Sequence, residues 1–77
     1  MDQNEILESI AYNLKKYRQR CNLSEKELSE KSGINERFII RMETVKAKRI
    51  TLSKLSKIAE ALGIKVYLLF DQIKKRN

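Results

Sequence analysis

Arg37 and Arg41 stand four residues apart in a short segment that also carries Glu36, Ile40 and Thr44. Side chains three or four apart share one face of a helix. Together these types make a mixed recognition surface: an arginine fork donates paired hydrogen bonds, a glutamate accepts them, and isoleucine and threonine add methyl contacts. Bond-making chemistry finds much less to use. The chain has no histidine and one cysteine, Cys21, which removes structural zinc sites, a disulfide framework and most imidazole acid–base catalysis. Cys21 has no histidine or second cysteine to activate it and is expected to be a buried, inert thiol. Glu25 with Glu27, and Glu27 with Glu30, bring carboxylates together, but among lysines on a short helix, which is the pattern of surface solvation. No enzyme, metal site or cofactor is expected.

Holding that segment takes a scaffold, and 77 residues with 42% apolar and 35% charged side chains are expected to make one domain, 1–77. A core of this size buries about 60% of the unfolded chain's surface. Seventeen lysines and arginines against ten acidic residues leave a net charge of +7, so polyanions are the natural partners. No apolar run approaches the roughly 20 residues needed to span a bilayer. The acidic start, with Asp2, Glu5 and Glu8, is unlike a secretory or mitochondrial leader. A soluble, cytoplasmic protein is expected.

Ile6, Ile10, Leu14, Tyr17 and Cys21 recur every three or four positions and draw one buried stripe along a first helix, about residues 5 to 20. Asn22 can stop it, since asparagine tolerates the left-handed conformation. Ser24 with Glu27 forms a capping box, and Leu23 with Leu28 a hydrophobic staple around it. A cap flanked by a staple recurs at Ile34, Asn35 and Ile39, and again at Ile50, Thr51 and Leu55. These signals start helices at about 25 to 32, 36 to 44 and 52 to 62, with Gly63 ending the last. A fifth helix is expected at about 65 to 75, carrying Val66, Leu69, Phe70 and Ile73 at helical spacing. Residues 64 to 70 are also apolar enough for a short strand. The fold class expected is all-α, a compact bundle of four to five helices.

Only Ser32, Gly33 and Ile34 turn the chain between the second and third helices, the connection of a helix-turn-helix, with the motif at about 24 to 44. Leu28, Ile34, Ile39 and Met42 can interlock the two helices, and Ser29 is small enough for a close crossing. Here the sequence resembles the Xre family of bacterial and phage DNA-binding regulators, which includes lambda-type Cro and repressor proteins. The resemblance runs from about Ile10 to Phe70. It is most specific in Leu14 to Arg18, Leu23 to Ser29, Gly33-Ile34, Ile39 to Glu43 and Ile58 to Ile64. It implies a lambda-repressor-like domain that binds a double-stranded DNA operator, the second helix of the motif entering the major groove.

With Ile39 and Met42 turned inward, Glu36, Arg37, Ile40, Arg41 and Thr44 remain on the outer face as candidate base contacts; an ordinary solvated face is the alternative. Ile40 there calls for a covering surface, DNA or a partner subunit. Phe38 either touches a thymine methyl or packs beneath the adjoining loop. Lys46, Lys48 and Arg49, ahead of the fourth helix, fit backbone phosphates or a solvated loop. Ser24, Asn35 and Thr51 cap their helices and can also donate to phosphate. The resemblance implies that Arg18 and Glu43 form a partly buried ion pair fixing the third helix.

Four departures from the family pattern stand out. Glu25 occupies a position where glutamine is common; when ionised it cannot donate a hydrogen bond and repels phosphate. Either it pairs with a basic group nearby or that phosphate contact is absent. Val45 stands where glycine is frequent, and the 43 to 52 loop is about one residue longer than usual. Ser29 replaces a frequent alanine.

Val66, Leu69, Phe70 and Ile73 are expected to form the contact of a homodimer, as family members commonly do, or to be consumed by the chain's own core. Lys74, Lys75 and Arg76 suit a solvated basic end. The resemblance places the chain among Cro-like repressors, restriction–modification controllers or antitoxins, with repression favoured because occupancy alone blocks polymerase. The rival is a protein-interaction module, antitoxin-like in binding a protein partner through its apolar C-terminal stripe, with acidic Glu25 and Glu36 as its support.

Overall fold

A computed structural model describes residues 3–72. Four α-helices follow one another: α1 Gln3–Arg20, α2 Glu25–Ser32, α3 Glu36–Glu43 and α4 Leu52–Leu62, then a 3-10 helix, Val66–Phe70. No strand occurs among the described residues. None of the described helices is long and apolar enough to cross a membrane.

Helices α2, α3 and α4 each start where a side chain can satisfy free amides of the first turn. Ser24 Oγ accepts from the Glu27 amide while Glu27 Oε1 accepts from the Ser24 amide, at 3.0 and 2.8 Å, closing the capping box. Asn35 Oδ1 accepts from the amides of Arg37 and Phe38, and Thr51 Oγ1 from that of Lys54. The flanking apolar pairs pack as staples do: Leu28, Ile34, Ile39 and Leu55 are buried, with Leu23 and Ile50 packed against them.

Helix α1 packs on α3 and on the 3-10 helix, α2 on α3 and α4, and α4 on the 3-10 helix. Leu14, Leu28, Ile39, Met42, Ile58 and Leu69 are wholly buried where these elements meet. Because α1 backs α3, it holds the recognition segment from behind. Truncating any one of these side chains leaves a cavity, at a cost of about 2 to 5 kcal/mol.

The C-terminal helix expected at 65 to 75 is not an α-helix over the part that lies among the described residues. Residues 66–70 wind as a 3-10 helix, and Asn13 of α1 explains where the α-helix is lost. Its buried carboxamide donates to the carbonyls of Leu69 (3.1 Å) and Asp71 (2.7 Å), the acceptors that an α-helix extended to 75 would need. The expected dimer stripe divides accordingly. Leu69 is fully buried in this chain's own core and cannot face a second copy. Val66 is half-buried, and Tyr67 and Phe70 are exposed. Ile73, Lys74, Lys75 and Arg76 lie outside the described residues.

Cys21 also departs from expectation, being exposed, with its Sγ 3.6 Å from the Leu62 carbonyl. The periodic stripe that includes it extrapolates one residue too far. Helix α1 ends at Arg20, and Asn22 turns left-handed at φ 57°. The amides of Asn22 and Leu23 then bond to the carbonyls of Gln19 and Arg18, a Schellman closure that carries the chain off the helical screw.

The same closure ends α3 with a less suitable residue. The Val45 and Lys46 amides bond to the carbonyls of Met42 and Arg41, which forces Val45 to φ 60°. A β-branched side chain is strained there, by about 1 to 2 kcal/mol. Val45→Gly is therefore expected to stabilise the protein by about 0.5 to 1 kcal/mol after the entropy loss of glycine, raising the melting temperature by about 2 to 8 °C. A lowered melting temperature would show that the left-handed turn is not strained.

Candidate nucleic-acid interface

Helix α3 divides cleanly by burial. Ile39 and Met42 are sealed in the core, whereas Glu36, Arg37, Ile40, Arg41 and Thr44 are all exposed. The outer face is thus a strip of one acceptor, two guanidinium forks and two methyl-bearing side chains on a rigid element. Thr44 Oγ1 donates to the Ile40 carbonyl at 2.9 Å. Its hydroxyl proton is thereby engaged, leaving its methyl and acceptor capacity for a partner.

Helix α3 is held at its far end by an ion pair. Arg18 Nε and Nη2 donate to Glu43 Oε2 and Oε1 at 2.6 and 3.0 Å, a bidentate fork, and Nη1 donates to the Leu23 carbonyl at 2.8 Å. The side chains of Arg18 and Glu43 are 12% and 4% accessible, so the pair lies mostly out of water. The hydrogen bond to Glu43 raises the Arg18 pKa above its ordinary value, against the opposing effect of burial. Arg18 therefore joins the end of α1, the start of the α2 segment and the end of α3 through one side chain.

Arg37 and Arg41 line one open cleft of about 490 Å³ with Gly33, Ile34, Asn35, Phe38 and Lys54. Lys54 is a cation that the sequence did not single out. It belongs to α4, and its Nζ lies 4.2 Å above the centroid of the Phe38 ring, a cation–π contact. The half-buried Phe38 packs against the core under Lys54. The signal available for Lys54 was its place in the first turn of α4, three residues after the Thr51 cap.

Lys46, Lys48 and Arg49 are exposed but do not line that cleft. They border a separate groove of about 720 Å³ with Leu7, Val45, Ala47 and Ile50. Buried Ala47 anchors the loop, with its amide bonded to the Arg41 carbonyl at 3.1 Å. Arg49 at φ 58° supplies a second left-handed turn. Ser24, Asn35 and Thr51 are exposed at the helix starts. Their acceptor oxygens serve the caps, while the two hydroxyl protons and the Asn35 amide group are not used by those bonds.

Glu25 is neither paired with a lysine nor simply solvated. It is half-buried at the start of α2, where the charges of Glu43 and Arg18 act on it. Burial raises its pKa above the usual carboxylate value. Glu43 and Glu36 add to that rise, and Arg18 opposes it.

Two helices joined by a turn at Gly33, with one face of the second left open, are the form of a helix-turn-helix, and residues 14–69 match the family model HTH_3, described as helix-turn-helix. The chain belongs to the HTH_3 family. A relative in Serratia marcescens, the control protein C.SmaI, is 39% identical over 73 residues, covering 95% of this chain and 86% of that protein. Among solved structures, the hypothetical transcription factor NHTF from Neisseria is similar with a TM-score of 0.83 at 28% identity, covering 94% of this chain and 82% of that one. The restriction–modification controller protein C.AhdI from Aeromonas hydrophila is also similar, with a TM-score of 0.77 at 26% identity, covering 83% of this chain and 96% of that one. This HTH_3 chain is accordingly an all-helical, DNA-binding transcription regulator of the Xre type.

Proposed function

We propose that this protein is a repressor-type controller that binds a duplex operator as a homodimer, with α3 of each copy in the major groove. The observation that carries the proposal is the split of α3: Ile39 and Met42 are sealed in the core, and Glu36, Arg37, Ile40, Arg41 and Thr44 are open to solvent. Arg37 and Arg41 take guanine through paired hydrogen bonds, Glu36 accepts from cytosine, and Ile40 and Thr44 touch thymine methyls. Lys46, Lys48 and Arg49 hold phosphates, helped by the donors left at Ser24, Asn35 and Thr51. The names of C.SmaI and C.AhdI favour a restriction–modification operon as the target. Repression follows from occupancy of its promoter.

Two copies join through the exposed Tyr67 and Phe70 and the half-buried Val66, placing two α3 helices on half-sites about 34 Å apart. A duplex selected from a random pool and titrated against salt tests the function. With roughly six phosphates neutralised, the logarithm of the binding constant falls with that of salt at a slope of about −5. The selected duplex is expected to bind at least about a thousandfold more tightly than random sequence. A ratio near one at low salt would contradict the proposal and leave a protein-interaction role on this scaffold.

A further inference from the structure

Arg37 and Arg41 of α3 and Lys54 of α4 gather their positive charge on one cleft of about 490 Å³, and no aspartate or glutamate lines it with them. Among the described residues none of these cations has a carboxylate at ion-pair distance. Arg18, by comparison, has its charge matched by Glu43. Like charges gathered without a counter-charge repel one another, and an anion entering the cleft removes that repulsion. Asn35 adds a carboxamide to the lining. Its Oδ1 serves the α3 cap, so its amide protons are what it has left for a ligand.

Lys54 is also held in place. Its Nζ lies 4.2 Å from the centroid of the Phe38 ring, both residues are half-buried, and Phe38 is itself fixed by the core it packs against. A free lysine side chain loses rotamer freedom when it takes a ligand; one resting on an aromatic ring has already given up part of it. An ammonium carries several donors, and the ring occupies one side of it, leaving the others for an acceptor.

We propose that Lys54, held on Phe38, grips one backbone phosphate of the operator beside the guanines given to Arg37 and Arg41, with Phe38 as its positioning residue. The inference rests on the DNA-binding role proposed above. The phosphate is distinct from those given to Lys46, Lys48 and Arg49, which border the other groove. The operator is thereby held at two separate places, and Lys54 acts in the cleft of the base-reading arginines. A contact there fixes the strand next to the bases being read, since phosphate contacts set register and base contacts set sequence.

The test replaces the phosphates of the selected duplex, one at a time, with neutral methylphosphonate and measures the dissociation constant of the intact protein. Wild type is compared with Lys54→Met, which keeps the side chain's length without its charge. Wild type is expected to lose about three- to tenfold at one phosphate where Lys54→Met loses less than about twofold. On unmodified DNA, Lys54→Met is expected to bind selected and random duplexes about three- to tenfold less tightly, with the magnitude of the salt slope reduced by about one. Phe38→Leu keeps an apolar contact without the ring. It is expected to weaken binding about two- to fivefold in the wild type but less than about twofold in Lys54→Met. Phe38→Tyr, which keeps the ring, is expected to bind as the wild type does. Thermal unfolding of each variant confirms that folded molecules are compared. Identical methylphosphonate profiles for wild type and Lys54→Met would overturn the phosphate contact, and an equal loss from Phe38→Leu in both backgrounds would overturn the positioning role. Absence of sequence-specific binding by the wild type would overturn the DNA-binding role beneath both.

Discussion

Arg18→Ala is expected to destabilise the protein by about 3 to 5 kcal/mol, because removing one partner of a buried ion pair strands the other's charge. Small domains hold about 5 to 15 kcal/mol in total, so the loss takes most of the reserve and brings the transition near or below growth temperature. The surroundings make the two halves of the pair unequal. In Arg18→Ala, Glu43 and Glu25 both lose the cation whose charge acts on them. In Glu43→Ala, Arg18 retains Glu25 as a neighbour of opposite charge. Arg18→Ala should therefore be the worse of the two, and lowering the pH should partly restore it by neutralising a carboxylate. An Arg18→Met, Glu43→Leu double variant leaves no unpaired charge and is expected to be more stable than Arg18→Ala. Urea unfolding of the four proteins measures this. Equal, small losses in both single variants would show that the pair is an ordinary surface contact.

The largest effect on binding is expected from Arg41→Ala, set against Lys48→Ala. Arg41 lines the cleft beside Arg37 and, in the proposed function, reads a base. Its loss should cost about 1 to 3 kcal/mol on the selected duplex and relax preference at one operator position. Lys48 borders the other groove and, in the proposed function, holds phosphate. Its loss should weaken selected and random duplexes alike and reduce the magnitude of the salt slope by about one. Titrating each variant on both duplexes at several salt concentrations separates the roles. Equal losses on both duplexes for Arg41→Ala would move base reading to another face of the molecule.

The three capped helix starts were legible because each rests on a local bargain between an oxygen and an amide, sealed by apolar residues on either side. Ser24, Asn35 and Thr51 sit where that bargain places them. The inward and outward faces of α3 were legible for the same reason, since Ile39 and Met42 are spaced for one side. The C-terminal element was not. Val66, Leu69 and Phe70 have helical spacing, yet the conformation is decided by Asn13, a residue 56 positions before Leu69, and long-range hydrogen bonds leave no local pattern. Cys21 failed where a periodic stripe was carried past the turn at Asn22.

For the candidate site, sequence gave the outward residues of α3 but not their grouping. Lys54 joins Arg37 and Arg41 because α4 packs across α2 and brings its first turn over Phe38. Glu25 was recognisable as acidic where glutamine is common, but the charges of Arg18 and Glu43 that act on it come from other helices. The frequent glycine at position 45 marked a left-handed turn that the chain still makes with valine.

Major-groove reading by α3 is tested most directly on the DNA. Replacing each guanine of the selected duplex in turn with 7-deazaguanine deletes the N7 acceptor from the major groove, and replacing it with inosine deletes the amino group from the minor groove. Arginine bound to guanine O6 and N7 loses one of its two bonds in the first case. Affinity should then fall about three- to tenfold at the guanines facing Arg37 and Arg41, with little response to inosine. Binding that ignores 7-deazaguanine at every position but falls with inosine would place the protein in the minor groove and contradict the assignment of α3.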